Sequence, residues 1–404
     1  MQSSEFEGSN RRLTEIAVAF LKLGATAYGG PAIMGIMQAE LQEKRQWVTK
    51  ERFLEGLSLV NMLPGAAATQ LGIFLGYSRG GWWGGLIAGL CFVLPAFIIM
   101  LALTFSYAAF GATPLMKGAL YGLGPVVVAI FLVAVYRLGR TAVATIPQLF
   151  IAITAVIAAA FSPLGIVPIL ALAGGIGVLL FHSRKSGVIV LGALVVLVAV
   201  PYLVPWSVLG LVSVAGKVGG PGQAPGLFDI GSFFLMVGAF SFGGGLTLIA
   251  FIQDQIVNQY QWLTHREFID GLALGQFTPG PILMVSAYVG YKLAGFAGAA
   301  VAAAAIFLPA FVLMLSILPV IERARKLLWT KAAMKGIGPA VIGVLAVSLM
   351  QMAPHVMPDP ISTGLFVATI AAMLVWQVGA IKLMVLGALL GVARDRLLSF
   401  PGIR

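Results

Sequence analysis

The sequence predicts an all-α, polytopic integral membrane protein, and three observations predict it. Of 404 residues, 60% are hydrophobic and 10% charged, against roughly 25% charged in soluble domains, and the mean hydropathy is +1.00. The apolar residues fall into successive runs near the length that crosses a bilayer, about 20 residues, joined by short loops. Several of these runs are interrupted midway by consecutive glycines or by Pro-Gly. Glycine costs about 1 kcal/mol and proline about 3 in a helix interior. Irregular backbone at membrane depth persists only where protein or a water-filled cavity satisfies the freed N–H and C=O groups. The breaks are therefore read as working parts.

Composition also excludes several classes. The 25 Lys and Arg outnumber the 14 Asp and Glu, giving a net charge of +11, which reads first as the positive-inside excess that orients a membrane protein. A further bias toward an anionic cargo stays open. The basic residues are scattered over short loops, so nucleic-acid binding is not expected. Cys91 is the single cysteine and His182, His265 and His355 lie far apart in sequence, so no disulfide, metal or cofactor is expected. The chain has no phosphate-binding loop, no paired nucleophile and base, and no redox site, so neither an ATP-driven pump nor an enzyme is expected. Arg11-Arg12 leads into a long patterned segment without a small-residue cleavage site, which predicts no removed signal peptide.

In chain order, residues 11–45 read as two half-helices parted by Gly29-Gly30-Pro31. Thr49 opens a helix that meets Asn61-Met-Leu-Pro64-Gly65 and resumes at Ala66, a second broken segment. Further spans are expected near 84–107, 116–136, 143–160, 164–181 and 187–203, and 216–226 is a Pro/Gly-rich connector. The second half then replays the first. At an offset of 214, Gly29-Gly30 meets Gly243-Gly244, Glu40 meets Asp254, and Leu94-Pro-Ala-Phe97 recurs as Leu308-Pro-Ala-Phe311. At 215, Glu55 meets Asp270 and Pro64-Gly65 meets Pro279-Gly280. The domains are thus 11–185, a first repeat; 186–227, an extra span with the connector; and 228–404, a second repeat.

Six spans per repeat plus the extra one make about thirteen, and the odd spacing sends the second repeat into the membrane from the other side. Charge agrees, because Arg137 and Arg140 and the loop around Arg323–Lys335 share one face only if the copies are inverted. The arginines near the C-terminus, Arg394, Arg396 and Arg404, fit poorly, since they would emerge on the opposite face.

Paired breaks in two halves mark a transporter's substrate site. A helix N-terminus binds anions through unpaired N–H groups and its partial positive charge. The pieces beginning after Gly30, Pro64, Gly245 and Pro279 can aim four such ends at the middle of the membrane. The substrate-binding candidates are Lys22, Tyr28, Gly29, Gly30, Pro31, Asn61, Pro64 and Gly65 in the first half. In the second they are Ser241, Phe242, Gly243, Gly244, Gly245, Gln276, Thr278, Pro279, Gly280 and Pro281. Lys22 is singled out as an ionisable residue in an apolar segment, with snorkelling to the interface as the alternative. Proton-coupling candidates are the aligned acids Glu40, Glu55, Asp254 and Asp270. Small residues that merely let helices pack remain the alternative for isolated glycines.

These motifs together resemble the chromate ion transporter family in its long, two-repeat form. The matching features are Phe20-Leu-Lys-Leu-Gly24 running into Tyr28-Gly-Gly-Pro31, Trp47-Val-Thr49, Asn61-Met-Leu-Pro-Gly65, Phe240-Ser-Phe-Gly-Gly-Gly245, Trp262-Leu-Thr264, Gln276-Phe-Thr-Pro-Gly-Pro281 and Leu308-Pro-Ala-Phe311. The resemblance implies a multi-pass carrier of the bacterial or archaeal inner membrane that expels chromate, coupled to protons, and confers chromate resistance. One-repeat members are thought to work as oppositely oriented pairs. Sulfate shares the shape and charge of chromate, so a sulfate-type dianion carrier or channel of the same fold stays open, as does a homodimer. Pro64-Gly-Ala66 departs from Pro279-Gly-Pro281, so the halves are expected to contribute unequally.

Overall fold

The structure, a computed structural model, describes residues 2–27, 31–60, 63–111, 113–162, 166–203, 225–240, 246–320 and 328–398. The described residues are helical, with no strand among them. The first half holds α1 (Gln2–Thr26), α2 (Pro31–Met37, continued by a π-helical Gln38–Lys44), α3 (Lys50–Val60), α4 (Ala67–Phe110), α5 (Pro114–Ala142), α6 (Ile146–Phe161) and α7 (Ile166–Phe181). After α8 (Arg184–Leu203) come α9 (Leu227–Ala239), α10 (Leu246–Gln253, continued by a π-helical Asp254–Gln259), α11 (His265–Phe277) and α12 (Val285–Ile317). The chain closes with α13 (Leu328–Val356), α14 (Pro360–Leu374) and α15 (Ala380–Leu398). The loop arginines Arg323 and Arg325, most of the connector and Arg404 lie outside the described residues.

Four helices are long and apolar enough to cross a membrane: Ala67–Phe110, Pro114–Arg140, Ile282–Ile317 and Ala332–Val356. Burial agrees with a bilayer as solvent. On α6, Ile151, Ala152 and Ala155 are buried while Ile146, Phe150, Ile153, Ile157 and Phe161 are exposed. Large apolar side chains thus line the outer stripe, where water would demand polar ones.

The broken segments do not run straight through. Trp47 Nε1 donates to Glu15 at 3.1 Å, and Arg79 pairs with the other Glu15 oxygen at 3.1 Å. The guanidiniums of Arg45 and Arg79 each stand 5.7 Å from the Trp47 ring. The chain that leaves this end at Glu15 is therefore back there at Trp47 and again at Arg79. The runs 11–45 and 49–77, expected as broken crossings, are fold-back hairpins. Gly56 lies against the Phe74 ring, which an unbroken helix would carry far away. In the second half Gly271 likewise lies against the Tyr288 ring, and Phe233 on α9 stacks on Phe251 at 6.2 Å and meets Trp262 at 5.7 Å.

Backbone irregularities recur at the sequence offsets. Helical geometry fails at Gly80–Gly81 (Gly81 φ 63°, ψ −154°) and at Ala294–Gly295 (Gly295 φ 61°, ψ −149°). Gln46 and Gln261 have φ of 50° and 54°, and Gly65 and Gly280 of 127° and 87°. At Gly81 the chain reverses, so α4 is two antiparallel arms with Gly76 packed on Gly84, as Gly290 is on Gly298.

The long arms of α4 and α12 pack antiparallel: Gly85 faces Leu315 and Gly89 faces Phe311. Tyr121, early in α5, bonds Asp359 just past the end of α13, and Gln148, just past the end of α5, donates to Lys335 O early in α13 at 3.4 Å. α5 and α13, which match each other across the offset, are therefore antiparallel. Packing is also exchanged: α5 lies along α14 and α15, and α13 along α6 and α7. Lys335 stands 5.4 Å over the Phe181 ring, which brings the end of α7 to the start of α13. Arg45, Arg79, Arg137, Arg140, Arg184, Lys185 and Lys335 thus share one end of the molecule, and Asp270, Asp359 and Arg394 lie at the other.

Candidate functional site

The described Pro-Gly tips reach from each half into the other. Gly280, at the tip joining α11 to α12, donates its N–H to the carbonyl oxygen of Ala27, the last described residue before the first break, at 2.7 Å. One hairpin arrives from the basic end and the other from the far end, so they meet inside the protein. A Cβ on Gly280 would stand 2.9 Å from the Ala96 side chain, and one on Gly65 would stand 3.4 Å from that of Ala310. Each Pro-Gly tip is thus seated on the proline-containing helix of the other half. This gives the identical Leu-Pro-Ala-Phe motifs a role, since Ala96 and Ala310 are small enough to admit a backbone turn. Both tip glycines have φ values that only glycine adopts readily.

The candidates fare differently. Pro31 opens α2, where its missing N–H costs nothing. Gly65, Thr278, Pro279, Gly280 and Pro281 are buried, and Pro64 and Gln276 half-buried. The Thr278 hydroxyl is already committed, donating to Leu274 O at 3.0 Å and lying 3.3 Å from Met100 Sδ. Lys22 is exposed, across α1 from buried Phe20 and Leu23, so the structure does not bring it to the tips. Tyr28, Gly29, Gly30, Asn61 and Ser241 through Gly245 (Ser241, Phe242, Gly243, Gly244, Gly245) lie outside the described residues.

The four acids separate sharply. Glu40 pairs with Arg45 at 3.0 Å and Lys44 at 3.4 Å near the basic end, and Glu55 pairs with Arg52 at 2.9 Å. Asp254 accepts from the Gln259 amide at 2.9 Å and from Asn258 at 3.4 Å. Asp270 alone is a buried charged residue among the described residues. It accepts from the Tyr107 hydroxyl at 3.0 Å, across the boundary between the halves, and lies 3.4 Å from Arg266 Nε. The histidines hold one surprise: His265 and His355, distant in sequence, stack with ring centres 4.0 Å apart. No group of three metal-ligating side chains occurs among the described residues.

Sequence reasoning missed two residues beside the first tip. Gln70 Nε2 donates to Pro64 O at 2.7 Å, and both Gln70 and its neighbour Thr69 are at 0% exposure. The signal was there, a Thr-Gln pair in an apolar run directly after Pro-Gly.

Fold and site together define an all-α polytopic membrane protein whose broken helices turn back and meet in its interior. The chain belongs to the chromate transporter family, whose profile matches residues 14–216 and 228–392. It is 32% identical over 379 residues to the chromate transport protein of Cupriavidus metallidurans, covering 94% of this chain and 92% of that one. To the probable chromate transport protein of Synechococcus elongatus it is 32% identical, covering 91% of each. To the chromate transport protein of Pseudomonas aeruginosa it is 30% identical, covering 90% and 87%. No solved structure matches. The family is one of transporters, which makes movement of chromate across the membrane the activity to be explained.

Proposed function

We propose that this chain exports chromate across the inner membrane of a bacterium or archaeon, by alternating access of two inverted repeats coupled to protons, and so confers chromate resistance. The observation that carries the reading is the contact of Gly280 N–H with Ala27 O. A break entering from one side meets a tip entering from the other, which is the geometry of a site reachable from either face in turn. The antiparallel packing of α5 against α13 and of the long arms of α4 and α12 supports inversion. In this reading four hairpins dip partway and nine helices cross: the long arm of α4, α5, α6, α7, α8, the long arm of α12, α13, α14 and α15. The basic end is cytoplasmic.

Alternating access moves one half against the other, so a proton carrier belongs at their boundary. Asp270 occupies that place: beside its pair with Arg266 it is bonded to Tyr107 of the other half, whereas the pairs of Glu40 and Glu55 are with cations of their own half. The test is uptake of radiolabelled chromate into inside-out vesicles, with sulfate as competitor and an uncoupler added. Saturable uptake that collapses with the proton gradient is expected. Uptake indifferent to the gradient would remove the antiport reading, and non-saturating flux would replace the carrier with a channel.

A further inference from the structure

α8 and α13 both lie along α7, and glycine brings each of them close. Gly187 of α8 sits against the Leu179 backbone, and Gly177 of α7 against Ala332 O of α13. Between the two outer helices stands a cleft of about 370 Å³, within the size range of ligand pockets. Gly174 and Gly175 of α7 form its floor, with Val190 and Leu194 on the α8 wall and Ile337 on the α13 wall. Val188, Ile189 and Val190 are exposed, as side chains facing lipid are. The depth of the cleft is thus apolar, and its polar lining, His182 and Ser186, lies at the basic end of the molecule.

The charge at that end is of one sign. Arg184 and Lys185 open α8 directly before Ser186. Lys335 Nζ stands 5.4 Å over the ring of Phe181, the chain neighbour of His182. None of α7, α8 and α13 contains an Asp or Glu, and among the described residues these three cations have no ion-pair partner. Elsewhere at the basic end cations are matched, Arg45 by Glu40 and Arg79 by Glu15. The positive-inside rule explains cations at this end, but not an apolar cleft beside them.

Basic pockets between membrane helices take anionic headgroups. We propose that this cleft holds one anionic phospholipid of the surrounding bilayer. Its acyl chain lies over Gly174 and Gly175, between Val190 and Ile337. Its phosphate rests at the mouth, where the Ser186 hydroxyl can donate and Lys185 and Lys335, both exposed and long-stemmed, supply the charge. A free phosphate would leave the apolar depth unfilled, and a zwitterionic lipid would bring a cation of its own against Arg184, Lys185 and Lys335. Such a lipid joins α8, the span expected outside both repeats, to α13 of the second, whatever the cargo.

Native mass spectrometry of the full chain in detergent tests this, by titration with phosphatidylglycerol and with phosphatidylcholine of identical acyl chains. Phosphatidylglycerol should bind at least about tenfold more tightly, since each Lys or Arg near an anionic headgroup contributes roughly fivefold. Lys185→Gln combined with Lys335→Gln should remove most of that preference. Lys117→Ala, which removes an exposed cation at the far end of α5, should keep it. Val190→Trp fills the cleft from a side chain that is 39% exposed, and should abolish the tight binding. Equal affinity for the two lipids, or glycerol phosphate competing as well as the whole lipid, overturns the proposal, and both are read on the wild-type chain. A preference unchanged in the double lysine variant overturns it too. So does a chain that isolates as a dimer and takes up lipid only once dissociated, which puts a second copy in the cleft.

Discussion

A carboxyl at membrane depth must find partners or give up its charge, and Asp270 has partners that differ in kind. Tyr107 is a neutral donor from the other half and Arg266 a cation one turn away on its own helix. Asp270→Asn keeps an oxygen for Tyr107 but cannot exchange a proton. Uptake in vesicles should fall at least tenfold and lose its response to the uncoupler, with the protein still inserted at wild-type amounts. Lys22→Ala, by contrast, should leave uptake within about twofold, because its side chain lies on the outer face of α1, where a long cation snorkels. The sequence could align Glu55 with Asp270 yet not tell them apart. Burial separates them, and so does the bond from Tyr107, a residue of the other half that no local pattern links to residue 270.

At the scale of elements, the hairpins owe their shape to a few glycines. Gly81 and Gly295 hold φ near +60° with ψ near −150°, a region essentially closed to other residues. A Cβ at either would meet nothing within 4 Å, so Gly→Ala there isolates backbone strain from crowding. Gly81→Ala and Gly295→Ala should each cost about 1–3 kcal/mol in thermal or denaturant unfolding, and together roughly the sum, since they lie in different halves. The breaks themselves were legible, because glycine pairs and Pro-Gly have no other reason to interrupt an apolar run. That they turn back was not. A half-helix on each side of a break suits a crossing as well as a hairpin, and only the meeting of Trp47 and Arg79 at Glu15 decides between them. The Leu-Pro-Ala-Phe recurrence was visible as a mark of duplication, but its use as a seat for the opposite tip depends on pairing between halves.

Across the whole molecule, the poor fit of Arg394 at the C-terminal end finds a physical answer. Arg394 bonds Asp359 at 3.0 Å and lies 4.0 Å over the Tyr121 ring, while the Tyr121 hydroxyl holds the Asp359 carboxyl below the usual carboxylate range. Arg266 and Lys292, at the same end, are paired with Asp270 and Glu267. On the far side Arg266, Lys292 and Arg394 are each paired with a carboxylate, whereas Arg137, Arg140, Arg184 and Lys185 are concentrated on the basic side. The proposed topology makes a prediction at this scale. In a background with Cys91 replaced by serine, Ser183→Cys and Met357→Cys should react with a membrane-impermeant thiol reagent from opposite sides; labelling from the same side would refute the inverted arrangement.

Because α5 finds its neighbours in α14 and α15, and α13 finds its own in α6 and α7, each half completes the interior of the other. Helix packing between the halves then holds them together, and their being one polypeptide keeps them in equal numbers. Such a molecule tolerates being made as two separate chains, but a cell that produces one without its mate is left with an orphan whose greasy flank invites disposal.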